Sequence, residues 1–404
     1  MATTTTIPGI AILGAGLFPA LAYLPALSAL RTTSPSQCPI VRAIYSRSEK
    51  SARGLAEETA KQLGGEGAGT PDVYFDQPVS DRTTSASGGN LDALLSRKDI
   101  AAVIIALPIT VQPSIILKAL KAGKHVLSEK PVAASVKIGL ELIREAKSYT
   151  EAGLVWRVAE NFEVEPVYVK VKELLKAGKI GEVKGFKASV KVYLDEESDW
   201  YKTPWRTVPE YQGGFLLDGG VHTSAALRTM LPEFTSGHLI SFASLNKPYL
   251  APKDTVHAIL KTPSYNGTLD FTWAWPVRSQ PNSDETVIMG SHGYIGIARR
   301  KAEEGGGWNV TIKSLVSSNS STTTTTTTKK EYQETEETYA FRSQGVREEF
   351  RAFFEVAFDG KKPDAEELGD VGNPMNALFD VALIQGMLDS NGGVVDLSEL
   401  WARG

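Results

Sequence analysis

Between Gly9 and Leu30 the chain runs for 22 residues without a charge, and two glycines, Gly14 and Gly16, interrupt that run near its start. A stretch this long is compatible with a membrane span or the core of a signal peptide. Three details oppose both readings. No basic residue precedes the run, Pro19 and Pro25 break it, and Gly14-Ala15-Gly16 stands where a buried strand would turn sharply into a helix. The pattern predicts a parallel strand over Ile7–Leu13, a glycine turn, and a helix from about Phe18.

Such a turn can hold a dinucleotide. Gly14 can take backbone angles closed to other residues, Gly16 lets the main chain approach a pyrophosphate, and the helix opening at Leu17 and Phe18 offers free N–H groups and the positive end of its dipole. Pro19 occupies the third glycine position of Gly-x-Gly-x-x-Gly, so an ordinary strand-to-helix turn remains the plainer alternative. The next strand, Ile40–Tyr45, ends at Ser46-Arg47-Ser48, where a Rossmann fold would carry its ribose-binding acid. No acid stands there. Ser46 and Arg47 can instead bind a 2'-phosphate through charge-assisted hydrogen bonds, which favours NADP(H) with NAD(H) as the second choice. The competing reading of Arg47 is a solvated loop charge.

Alternation continues through a helix over Ala56–Leu63, a strand over Ala101–Leu107, a helix over Pro113–Lys121 and a strand over His125–Ser128. This is βαβα repetition, whose ligands bind beyond the carboxyl ends of the strands. Leu107-Pro108 and Glu129-Lys130-Pro131 therefore belong at the cofactor crevice, and Pro131 restricts the backbone of Lys130. Ninety residues later a second cluster, Asp218-Gly219-Gly220-Val221-His222, places a carboxylate and an imidazole four residues apart. If Val221–Met230 is a helix starting after two flexible glycines, Asp218 and His222 lie one turn apart, and the carboxylate can orient the ring. Imidazole as a class exchanges protons near neutrality, so His222 is the candidate proton donor or acceptor.

The second half changes rhythm. Strands are expected at Lys184–Tyr193, Val256–Thr262, Gly267–Trp275, Thr286–Met289 and Trp308–Ile312, with helices at Val167–Ala177, Gln344–Phe358 and Met375–Leu388. The fold class is α/β: an N-terminal doubly wound Rossmann sheet over residues 1–155, then an α+β substrate-binding domain over 156–404 built on a large open, mostly antiparallel sheet. One face of that sheet needs a cover, and a homodimer through it is the expected solution. Two polar segments, Gly64–Asn90 and Ser317–Lys330, read as inserted loops.

Composition excludes several classes. A formal net charge of -4 argues against a nucleic-acid partner, and one cysteine, Cys38, excludes an internal disulfide and points to a reducing, cytoplasmic setting. Five histidines and one cysteine give no metal-ligand spacing; His125, His238, His257 and His292 are assigned structural or surface roles.

Taken together, Ile10 to Gly16, Ala119 to Lys124, Glu129-Lys130-Pro131, Ala159-Glu160-Asn161, Lys179 to Val183, Trp205-Arg206 and Gly213 to His222 resemble the Gfo/Idh/MocA oxidoreductases, most closely a fungal NADP-dependent branch. The resemblance implies that Lys130 hydrogen-bonds the reacting oxygen, with Asp218 and His222 as the other catalytic groups. It implies that Trp205 and Arg206 line the substrate and nicotinamide pocket, the alternative being that Trp205 packs and Arg206 pairs with a surface acid. Glu160 and Asn161 either touch the nicotinamide end or cap a helix. The cofactor residues expected are Gly14, Gly16, Leu17, Phe18, Ser46, Arg47, Leu107, Pro108, Glu129, Lys130, Asn161 and Arg206; those expected at the substrate are Lys130, Glu160, Trp205 and His222.

The function these features predict is hydride transfer between NADP(H) and a carbonyl or secondary alcohol of a small sugar, polyol or related compound. Two alternatives stay open. One is a non-catalytic NADP-binding regulator, which the intact Lys130, Asp218 and His222 oppose. The other is a reductase of a bulkier secondary metabolite, which the aromatics Trp200, Tyr201, Trp205, Trp273 and Trp275 would equally suit.

Overall fold

Short, wholly apolar strands need cover on both faces, and the first half of the chain provides it with helices between parallel strands. The computed structural model describes residues 7–64, 69–76, 89–279, 285–317, 323–324, 327–328, 332–360 and 370–402. The chain forms two compact units, one of Met1–Val164 with Gln344–Val381, the other of Glu165–Ser343 with Ala382–Arg403.

The first unit holds a six-stranded sheet of β1 (Gly9–Leu13), β2 (Ile40–Ser46), β3 (Asp72–Phe75), β4 (Ala102–Ile105), β5 (His125–Glu129) and β6 (Trp156–Ala159) in the order β3-β2-β1-β4-β5-β6. All its pairings are parallel. The order reverses between β1 and β4, so the ligand crevice of a doubly wound sheet falls at their carboxyl ends. β1 and β4 are buried at every position. Polar caps start the flanking helices: Ser48 accepts from the Ser51 N–H ahead of Glu49–Leu63, and Ser135 from the Ile138 N–H ahead of Val136–Glu151.

Several details depart from the sequence reading. The segment expected as a loop over Gly64–Asn90 contains β3; its residues 65–68 and 77–88 lie outside the described ones. The helix expected at Ala56–Leu63 starts seven residues earlier, at Glu49, because Ser48 caps it there. After the glycine turn the helix opens with a π-helical turn over Pro19–Tyr23 before the α-helix Leu24–Thr33, and the Leu24 N–H donates back to the Pro19 carbonyl. The helix Gly345–Phe358, expected with the second domain, packs Phe350, Phe353 and Phe354 into the same core as Ile10, Ile12, Leu27 and Ile44.

The second unit is built on a nine-stranded sheet. Its strands are β7 (Val183–Lys191), β8 (His238–Ser244), β9 (Thr255–Lys261), β10 (Asn266–Thr272), β11 (Thr286–Gly290), β12 (Gly293–Arg299), β13 (Trp308–Ser317), β16 (Tyr332–Phe341) and β17 (Val395–Asp396); the short pair β14 (Thr323–Thr324) and β15 (Thr327–Thr328) stands apart as its own hairpin. The order is β16-β13-β12-β11-β7-β10-β9-β8-β17, antiparallel except where β10 meets β7. Alternation along β8, and along β9 from Val256 onward, turns Leu239, Val256, Ala258 and Leu260 inward and leaves Ile240, Phe242 and Ile259 exposed.

The helix Gly214–Met230 corrects one expectation. Gly219 and Gly220 do not precede a helix but lie inside it, as close-packing positions: a Cβ on Gly219 would stand 2.3 Å from the Trp273 ring, and one on Gly220 2.7 Å from Ile384. Asp218 and His222 share this helix, one turn apart.

Gly14 and Gly16 test the turn. Gly14 has φ +118° and a Cβ there would lie 2.1 Å from the Ala106 carbonyl oxygen, whereas nothing lies within 4 Å of a Cβ on Gly16. Gly14→Ala is expected to lower stability by at least about 1–3 kcal/mol, and Gly16→Ala to stay within about 0.5 kcal/mol of the parent. Thermal melts without cofactor read the difference; equal losses would contradict this account of the turn.

Candidate active site

In the first unit, five of the expected segments follow successive strands at one edge of the parallel sheet. Gly14 follows β1, Ser46 ends β2, Leu107 and Pro108 follow β4, Glu129 ends β5 with Lys130 next, and Glu160 and Asn161 follow β6. Backbone bonds lock the edge: the Gly14 N–H donates to the Tyr45 carbonyl at 2.8 Å and the Ala106 N–H to the Leu13 carbonyl at 2.8 Å.

The residues fit a dinucleotide. Gly14 makes the turn that no side chain could enter, Gly16 leaves open space for an approaching pyrophosphate, and no side chain caps the helix end at Leu17 and Phe18. Arg47 is exposed and forms no ion pair with any described residue. The nearby acids are engaged, since Glu49 pairs with Arg53 and Asp76 accepts from the Tyr45 hydroxyl at 2.8 Å.

Lys130 carries the cis peptide to Pro131, and its neighbour Glu129 is held from an unforeseen direction. The Tyr23 hydroxyl, on the π-helical turn, donates to Glu129 Oε1 at 2.5 Å. Tyr23 is fully buried, and burial first, then the Glu129 and Glu349 carboxylates, holds its phenol well above the ordinary range, so it stays a donor. No motif could have found Tyr23, which lies 106 residues from Glu129 in the chain. By contrast the motif lysine Lys124 is structural: it is buried and donates to the Arg97 and Ile100 carbonyls at 2.6 and 2.8 Å. Glu160 accepts from the Phe162 N–H at 3.1 Å and so caps the turn Asn161–Glu163.

In the second unit, Arg206 is the organising residue. Its Nε donates to Asp218 Oδ2 at 2.8 Å, with side chains only 14% and 10% exposed, and its guanidinium lies 4.0 Å from the Trp205 ring centre and 5.1 Å from that of Trp200. Asp218, expected to orient His222 from one turn away, also pairs with Arg206, and the acid that Arg206 finds is a buried one. Tyr211 joins the cluster, its ring 6.3 Å from Trp205; burial and then the Asp218 carboxylate raise its phenol far above the usual range. Sequence reasoning missed Tyr211 because nothing in its spacing separates it from a core aromatic.

The remaining histidines have structural partners: the His125 ring accepts from the Val155 N–H, His257 pairs with Asp270, His238 with Asp396, and His292 with Ser291. Among the described residues no group of three or more His, Cys, Asp or Glu could hold a metal, and no helix is long and apolar enough to cross a membrane.

Comparison with known proteins agrees with both halves of the chain. Residues 9–157 match the model of an oxidoreductase family with an NAD-binding Rossmann fold, and residues 168–296 match the GFO/IDH/MocA C-terminal domain. Dehydrogenase FPY6 of Fusarium mangiferae is 34% identical over 386 residues, 95% of this chain and 96% of that protein. The crystal structure of an oxidoreductase from Thermotoga maritima is similar with a TM-score of 0.74 and 27% identity, covering 98% of this chain and 100% of that one. A 3-ketoreductase from Actinomadura kijaniata, solved with NADP and TDP-benzene, shares the fold at a TM-score of 0.65 and 21% identity, with 95% and 97% coverage.

The ion pair gives a stability prediction. Removing one partner of a buried pair strands the other charge, so Asp218→Ala should lose about 3–5 kcal/mol in urea unfolding, and Arg206→Met with Asp218→Asn together should lose less than the single change. A loss within about 0.5 kcal/mol for Asp218→Ala would mean that the pair is solvated.

Proposed function

This chain belongs to the Gfo/Idh/MocA family of oxidoreductases, and on that premise we propose that it transfers a hydride between NADP(H) and a carbonyl or secondary alcohol of a small polar substrate, a sugar, polyol or related compound. The observation that carries the reading is the gathering of Gly14, Ser46, Pro108, Lys130 and Asn161 at the carboxyl edge of one parallel sheet. NADP(H), when bound, supplies the hydride donor or acceptor.

Gly14, Gly16, Leu17 and Phe18 would hold the pyrophosphate, and Ser46 with Arg47 the 2'-phosphate. The absence of an acid at positions 46–48 and the unpaired state of Arg47 among the described residues support NADP(H) over NAD(H). Lys130 hydrogen-bonds the reacting oxygen, and His222 delivers or receives its proton. Glu129, clamped by Tyr23, fixes the main chain from which Lys130 projects. Asp218 acts through Arg206, and Trp205 and Glu160 bound the substrate. A single thiol, Cys38, with no second cysteine in the sequence to pair with, supports a reducing cytoplasmic setting.

The exposed apolar positions Ile240, Phe242, Ile259 and Met289 on the outer face of the second sheet support a homodimer through that face. Phe242→Glu with Ile259→Glu should convert a sedimenting dimer to a monomer; an unchanged sedimentation coefficient would remove the sheet as the interface.

Cofactor choice and chemistry are tested together. Arg47→Ala should weaken NADPH binding by roughly 10- to 100-fold and leave NADH nearly unaffected, and Lys130→Met should lower kcat by about 100- to 10,000-fold with NADPH affinity retained. Equal loss for both cofactors in Arg47→Ala would sink the NADP preference, and full turnover in Lys130→Met would sink the catalytic assignment.

A further inference from the structure

Arg206 is held more tightly than an ion pair requires. Asp218 takes its Nε, and the indoles of Trp200 and Trp205 flank the guanidinium at 5.1 and 4.0 Å. What remains is the in-plane edge of Nη1 and Nη2, which makes no hydrogen bond to any described residue. The Tyr211 hydroxyl, close enough to feel both Arg206 and Asp218, likewise has no hydrogen-bond partner among the described residues. A tie between the short helix Pro204–Thr207 and the helix Gly214–Met230 would use the ion pair and leave these donors unexplained.

We infer that the free edge of Arg206 seats a carboxylate of the substrate, so that the compound turned over is an acid, such as a sugar acid or an oxo or hydroxy acid, and not a neutral sugar. This deepens the oxidoreductase reading and rests on it. The terminal nitrogens of a guanidinium form a rigid fork that matches two carboxylate oxygens. Flanking indoles and 14% exposure leave that fork poorly hydrated and pre-set in direction, so an anionic ligand gains charge-assisted bonds without reordering the side chain. Asp218 offsets part of the cation from the Nε side only. His222, one turn along the same helix, places the proton-exchanging group on the element that carries the Asp218 anchor.

The test compares matched acid and neutral probes on the full chain with NADP+ present: gluconate against sorbitol, glucuronate against glucose, and phenylglyoxylate against acetophenone. Binding is read from intrinsic tryptophan fluorescence, to which Trp200 and Trp205 contribute. At least one acid should bind about 10-fold or more tightly than its neutral partner, and the preference should vanish in Arg206→Met and shrink in Arg206→Lys, which keeps the charge without the fork. Equal binding within every pair, or a preference that survives in both variants, overturns the inference. NADPH titration of the same samples reads the premise separately: a carboxylate preference with no NADPH binding would defeat the oxidoreductase reading and leave the acid site standing.

Discussion

One residue without a side chain sets the geometry of the first unit. Gly14 donates its N–H to the end of β2 and sits so close to the chain leaving β4 that a methyl group would overlap the Ala106 carbonyl. Three neighbouring strands are thereby held in register at the edge where the sheet order reverses. The π-helical turn that follows rotates Tyr23 onto Glu129, which couples the glycine turn to the strand end that presents Lys130. A motif at residues 14–16 and one at 129–131 are in this sense a single construction.

Several buried polar groups in both units are held by partners outside their own helix or strand. Tyr23 meets Glu129, Lys124 meets two carbonyls of the preceding loop, and Asp254 accepts from the Asn246 and Lys247 N–H groups. Such pairs contribute little net stability compared with apolar packing, but each is expensive to break, so they specify where loops and side chains sit. Arg206 with Asp218 follows the same rule and differs in one respect. Its Nη1 and Nη2 edge makes no hydrogen bond to any described residue.

Much of the fold was legible from residue order because the signals were local. Continuous apolar runs read as buried parallel strands, and β1, β2, β4 and β5 came within two residues of their predicted limits. Strand β3 escaped because Asp72–Phe75 is short and half exposed within a polar segment, and β8 and β16 escaped because their patterns mix apolar and polar residues. Gly219 and Gly220 misled for a physical reason: a glycine needed for flexibility and one needed for close packing against Trp273 or Ile384 look identical in a sequence.

The amino-acid sequence by itself determined the parallel sheet, the dinucleotide turn, the lysine at the end of β5 and the one-turn spacing of Asp218 and His222, since each depends on periodicity or on neighbours within a few residues. Only the tertiary structure decided that Tyr23 clamps Glu129, that Asp218 pairs with Arg206 between two indoles, and that Phe350, Phe353 and Phe354 return to the first unit's core. The two hydrogen bonds among them join residues 12 and 106 positions apart, and they form because burying charge and polar groups demands partners that no local pattern names.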